Sequence, residues 1–256
     1  MENNMVTTNR TVMEAVTAVP SRCLKTTQTA SLKTCKQNDP DFNGCLKNAF
    51  TDALPVLVKG IPSLGLPPLD PLHFTQIKIK DSPERPVTLS LEFNEVDIIG
   101  NGNAIIDDVE MKPGSYYMKT KTHTDKPLTL VGPYKADGKV LVLPVKGEGN
   151  SNITASRLEA VLELFGQPIE RDGEVYWDVT DYKVDLSLGK LSIDLTGLYN
   201  NDKALADNTL KFLNENSEEI AKEVVPVIQE ALAASFKEMA ERVFSKVPYN
   251  SVFPPS

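Results

Sequence analysis

The spacing of apolar residues along the chain changes period twice. After Asp39 they recur at helical intervals, with Phe42, Cys45, Leu46, Ala49, Ala53, Leu54 and Leu57 on one face. Asp39 is the expected N-cap, Pro40 the first helical residue and Gly60 the stop. Pro55 inside this helix predicts a kink. The next segment, GIPSLGLPPLDPL, intersperses prolines with leucines and reads as an extended apolar connector. From Phe74 to Tyr199 the period falls to two: Val87, Leu89, Leu91 and Phe93 alternate with polar neighbours, as do Val184, Leu186 and Leu188, then Leu191, Ile193 and Leu195. Hairpin turns are predicted at Asn101-Gly102, Pro113-Gly114, Asp137-Gly138 and Asp172-Gly173. One apolar face per strand predicts a long antiparallel meander of about seven to nine strands.

From Asn208 to Lys246 the helical period returns through Leu213, Ile220, Val224, Ile228, Leu232, Phe236, Met239 and Val243. Acids gather early (Glu215, Glu218, Glu219) and bases late (Lys237, Arg242, Lys246), which suits the helix dipole. The stretch predicts one long helix, bent near Lys222–Val225 by Pro226, with a short lead-in from Ala204 to Leu213. At about 1.5 Å per residue it would reach roughly 55 to 60 Å, longer than a compact small domain is wide. Strands followed by such a rod give an α+β class: a long C-terminal helix wrapped by a strongly curved antiparallel sheet, with a short N-terminal helix. Wherever side chains do not meet, a roll of this kind leaves an apolar channel.

Composition narrows the function. The chain has 256 residues, a net charge of −8 and 41% hydrophobic residues, enough for a sizeable core and with no electrostatic motive for binding nucleic acid or an anionic membrane. No apolar run of about 18 residues suggests a membrane span. Residues 1–34 are polar and unpatterned, with no apolar leader, and are expected to be disordered. Cys35 and Cys45 bracket a short polar loop; a bridge there would contribute about 2.5 to 3 kcal/mol, and spacing alone leaves two free thiols equally open. Cys23 is left over. Asn9-Arg-Thr and Asn152-Ile-Thr are glycosylation sequons.

Catalytic signals are absent from the sequence. His73 and His123 are isolated, there is no G-x-S-x-G or H-E-x-x-H, and Asp107-Asp108 point to opposite faces of a strand. Gly147-Glu148-Gly149 lacks the Lys and helix of a phosphate cradle and reads as a hairpin end. Tyr116, Tyr117, Tyr134, Tyr176 and Tyr182 lie near apolar strands, where a hydroxyl either reaches water or bonds one polar group of a ligand. No enzyme activity, cofactor or metal is expected.

Four stretches, in order, resemble the insect takeout and juvenile-hormone-binding protein family, takeout branch: Cys35–Leu72, Gly132–Ile153, Asp172–Asn216 and Glu238–Pro254. The resemblance implies a carrier domain over 35–256 with an internal hydrophobic tunnel, in which one small lipophilic molecule (a juvenile-hormone-like terpenoid, a fatty acid or a related lipid) is held. It also implies secretion, a family with circadian and feeding-related members, and a Cys35–Cys45 disulfide. The chain departs from the pattern in lacking the leader usual before Cys35 and the second disulfide of the moth hormone carriers. From the facing pattern, the candidate lining is Leu54, Leu57, Val58, Phe93, Tyr117, Tyr134, Leu141, Leu143, Leu232, Phe236 and Met239. A monomer is expected, and the rival to a carrier is an interaction protein with a closed core that acts through a surface partner.

Overall fold

A computed structural model describes residues 33–79, 87–140 and 143–256; the expectations for residues 1–32, including Cys23 and Asn9, lie outside them. Helix α1 spans Phe42–Lys59. Its cap is Asp41, whose carboxylate accepts from Gly44 N at 3.2 Å, while Asp39 accepts from Asp41 N at 2.8 Å and closes the preceding turn. The helix therefore starts after the Asp39–Pro40 position predicted for it, and it runs unbroken past Pro55. Cys35 and Cys45 form a disulfide with a Cα–Cα distance of 5.8 Å, tying the segment before the helix to its first turn.

Nine strands follow among the described residues: β1 Leu72–Ile79, β2 Val87–Ile99, β3 Ile105–Glu110, β4 Tyr117–Thr124, β5 Leu128–Val140, β6 Leu143–Ala155, β7 Leu158–Arg171, β8 Glu174–Leu188 and β9 Leu191–Leu195. They make two antiparallel sheets, ordered β1-β2-β5-β6-β9 and β3-β4-β7-β8. The topology is thus not a simple meander, because the chain passes from one sheet to the other after β2, β4, β6 and β8. The last two crossings are locked together: Ser156 N donates to Lys190 O and Gly189 N to Arg157 O.

Two predicted turns prove to be strand. Asp137-Gly138 lies inside β5, where Gly138 faces Leu89 on one side and Val145 on the other; hydrogen bonding to two neighbours overrides the local turn propensity. Gly147 and Gly149 lie inside β6 and not at a hairpin end. A Cβ on Gly149 would sit 2.3 Å from Thr196 O, so these glycines admit the backbone of residues 196–198 across the strand. Asp172-Gly173 does form the two-residue hairpin, both with positive φ between paired Arg171 and Glu174.

The C-terminal rod is two helices, α2 Lys203–Glu215 and α3 Ser217–Phe244, followed by a single turn, α4 Tyr249–Val252. The break at Asn216 departs from the one continuous helix predicted. Asn214 explains where α2 is pinned: its side chain accepts from Ile193 N and donates to Ile193 O, both at 2.8 Å, pairing the free edge of β9. Asn216 then leaves helical geometry (φ −108°, ψ 21°), and its amide donates to Phe212 O. Helix α3 passes Pro226 without interruption. An aromatic group of Trp177, Phe244, Tyr249 and Phe253, with Phe42 and Cys35, closes one end of the molecule.

Candidate ligand site between the long helix and the sheets

Ile228, Leu232, Phe236 and Met239 fall on one stripe of α3, at steps of three and four residues. That stripe meets both sheets at once. Leu72, Ile98, Leu128 and Leu130 come from the five-stranded sheet, and Leu158, Leu162, Tyr182, Val184 and Leu186 from the four-stranded one. Strand alternation delivers them: on β8, Tyr182, Val184 and Leu186 turn inward while Asp181, Lys183 and Asp185 are exposed.

This interior is unevenly filled. Behind α2, the five-stranded sheet packs tightly, with Val96, Val140, Val145, Phe93 and Tyr134 all at most 2% exposed. Along α3, by contrast, Phe74, Leu130, Leu162, Leu186, Phe236 and Met239 are only half buried, although they belong to the same apolar cluster as fully buried Leu72 and Val184. The packing along α3 is thus less complete than behind α2.

Tyr182 sharpens this. Its ring lies 5.8 Å from that of Phe236 in an edge-on arrangement. Among the described residues its hydroxyl has no hydrogen-bond partner. Burial alone pushes its pKa far above the ordinary phenol value, further than for Tyr134 or Tyr249, which are pushed up to about 12. Yet the residue keeps accessible surface. The phenol stays protonated at neutral pH and offers one O–H donor on this apolar face. Other tyrosines are committed elsewhere: Tyr134 donates to Thr196 O at 2.8 Å, Tyr249 to Ser115 O at 3.0 Å and Tyr117 to Glu163 at 2.5 Å.

The residues singled out by facing pattern separate into groups. Leu232, Phe236 and Met239 are in the α3 cluster. Leu57 meets Met239 in a smaller cluster with Ile61, Leu64 and Leu66. Leu54 and Val58 are half buried on α1, with Val58 O accepting from Asp70 N. Leu143 is half buried opposite Val140 at the start of β6, and Leu141 lies outside the described residues. Phe93 and Tyr134 face each other across β2 and β5 in the tightly packed region, with no space before them and the Tyr134 hydroxyl already bonded. Tyr117 is misplaced by the pattern: it is 36% exposed on the outer face against Phe165, because β4 turns Met118 inward instead. Phe74, Leu130, Leu162 and Leu186 pack in the same α3 cluster, although the facing pattern did not single them out as lining.

The histidines clamp surface carboxylates. His73 contacts Asp97 through Nδ1 at 2.8 Å and Glu95 through Nε2 at 3.0 Å, and His123 contacts Asp107 through Nδ1 at 2.8 Å. Among the described residues no group of His, Cys, Asp and Glu is arranged to hold a metal, and no helix is long and apolar enough to cross a membrane.

A long helix flanked by two antiparallel sheets, with a partly accessible apolar stripe along the helix, defines an α+β protein. The profile of the haemolymph juvenile hormone binding protein family matches residues 12–254, and the chain belongs to that family. Similar proteins include the circadian clock-controlled protein daywake of Drosophila melanogaster, 27% identical over 230 residues covering 87% of this chain and 86% of the relative. A second relative, of Schistocerca gregaria, is named "Putative beta-carotene-binding protein"; it is 23% identical over 224 residues, covering 87% of this chain and 88% of its own. The crystal structure of Epiphyas postvittana Takeout 1 superposes with a TM-score of 0.77 at 25% identity, covering 87% of this chain and 99% of that one.

Proposed function

We propose that the chain carries one small lipophilic molecule, a terpenoid, fatty acid or related lipid, in the space between α3 and the two sheets, outside the cell and without chemical change. The observation that carries this reading is Tyr182: a desolvated, unpartnered hydroxyl among half-buried apolar side chains on the inner face of β8. A closed core would fill that space and pair that oxygen. Membership of a family named for hormone binding, and the S. gregaria relative's name, support the same reading. Affinity would come from apolar burial, at about 25 cal/mol per Å² of ligand surface before entropic costs. The Cys35–Cys45 bridge fits an oxidising compartment.

The test is displacement of a fluorescent fatty acid from delipidated protein, with native mass spectrometry of protein taken from its own tissue to identify the cargo. Phe236→Asp puts a charge into the apolar space and should abolish uptake. Unchanged binding by a folded Phe236→Asp protein would remove the site from this helix face.

A further inference from the structure

The inner face of β4 is polar where its neighbours are apolar. Strand alternation turns Met118, Thr120, Thr122 and Thr124 inward, at 8%, 7%, 8% and 2% exposure. The charged residues of β4 take the other face, where Lys121 meets Glu110 at 2.9 Å and His123 meets Asp107 at 2.8 Å. Thr124 is accounted for. Its hydroxyl donates to Lys126 O at 3.0 Å and accepts from Leu158 N at 3.2 Å, which fastens the start of β7.

Thr120 and Thr122 have no such role. Both residues are more than nine-tenths buried, and among the described residues neither hydroxyl has a hydrogen-bond partner. Neither hydroxyl is sealed in protein, because Trp177 Nε1 is the one fully buried side-chain polar atom among the described residues that lacks a partner. A hydroxyl held inside without a partner leaves a hydrogen bond unmade at a cost in free energy. Two of them on one strand face call for a partner from outside the chain.

The register sets them beside the α3 stripe. Thr120 lies opposite Leu162 and Leu162 opposite Val184, while Thr122 lies opposite Ala160 and Ala160 opposite Leu186. Leu162, Val184 and Leu186 belong to the α3 cluster. Residues paired on one face stand about 4.5 to 5.5 Å apart at Cβ, so the hydroxyls border that cluster. On the other side they face Val109 and Ile106, which pack with Phe42 and Leu46 of α1. The adjoining inward row runs Met118, Leu164, Tyr182 and carries the unpartnered phenol. Three free hydroxyls therefore share one face of the four-stranded sheet among aliphatic groups.

Resting on the carrier reading above, we propose that Thr120 and Thr122 determine which cargo is held. They donate to an uncharged oxygen function, a carbonyl or ester, on a lipophile whose hydrocarbon part lies against the α3 stripe. These inward rows hold no cation for a carboxylate, and a plain hydrocarbon would leave both hydroxyls unpaired.

The experiment measures methyl oleate, oleate and an unfunctionalised alkene of similar length on the delipidated full chain at neutral pH, by displacement of a fluorescent lipid. It uses wild type, Thr120→Val, Thr122→Val and Thr124→Val, since valine keeps the β-branched shape and removes only the hydroxyl. Thr120→Val and Thr122→Val should each weaken ester binding about two- to twelvefold and leave the alkene unchanged or tighter, with thermal midpoints no lower than wild type. Thr124→Val should lower the midpoint and keep the ester-to-alkene ratio. Oleate should bind wild type less tightly than its ester. Four results overturn the assignment and leave the carrier reading standing. They are equal shifts for ester and alkene, no shift for either, tighter binding of oleate than of the ester, and a lower midpoint in Thr120→Val or Thr122→Val, the mark of a hydroxyl already paired by trapped water. Failure of wild type to bind any of the three molecules overturns both.

Discussion

Replacing Tyr182 by Phe removes one oxygen and leaves the ring against Phe236. Its hydroxyl has no protein partner among the described residues, so the native state loses no hydrogen bond. It also sheds a desolvated polar group. Stability should therefore stay within about 0.5 kcal/mol of wild type, or rise. A ligand with an acceptor in that space loses a hydrogen bond of net worth about 0.5 to 1.5 kcal/mol, a two- to twelvefold weaker affinity. A hydrocarbon probe with no acceptor should bind as before or better. Urea unfolding of the unliganded protein and paired titrations with an acceptor-bearing and an acceptor-free probe read all three numbers. A stability loss above about 1 kcal/mol would show that the hydroxyl is paired inside the protein, and the argument for open space beside it would collapse.

Cys45→Ser opens the Cys35–Cys45 loop and should cost about 2.8 kcal/mol on the loop-entropy estimate, read as a lower urea midpoint under non-reducing conditions and no difference from wild type in excess reductant. Gly149→Ala forces a Cβ to within 2.3 Å of Thr196 O and should destabilise by about 1 to 3 kcal/mol, whereas Gly173→Ala meets nothing within 4 Å and suffers only from its φ of 78°. The His73 pKa is raised above 6.5, chiefly by its bond to Asp97 and then Glu95, against opposing desolvation. A raised folded-state pKa stabilises fully below 6.5 and is lost as pH climbs past the folded value. Thermal midpoints should thus fall from pH 6 to pH 8 more in wild type than in His73→Gln; equal slopes would mean the clamp contributes nothing.

Much of the fold was legible because its causes are local. The two-residue period along Tyr182, Val184 and Leu186, the four-residue steps of Ile228, Leu232 and Phe236, and the Asp172-Gly173 turn are each set by a few neighbouring residues. Other features had distant causes. Asp137-Gly138 became mid-strand because β2 and β6 pair on both sides of it. The rod broke at Asn216 beside Asn214, whose amide is spent on the edge of β9, a strand whose position no helical period reveals. Tyr117 and Tyr182 both sit in alternating strands, and only the assembled sheets put one outside against Glu163 and the other inside against Phe236.

By itself, then, the sequence determined the elements, the class and the apolar face of each strand and helix, since periodicity and turn chemistry act over a few residues. Tertiary structure decided where those faces close tightly, as at Phe93 and Val96, and where they pack less completely, as along α3. Space is a property of how surfaces meet, and two equally apolar faces read alike in one dimension whether they end up touching or leave room for a guest.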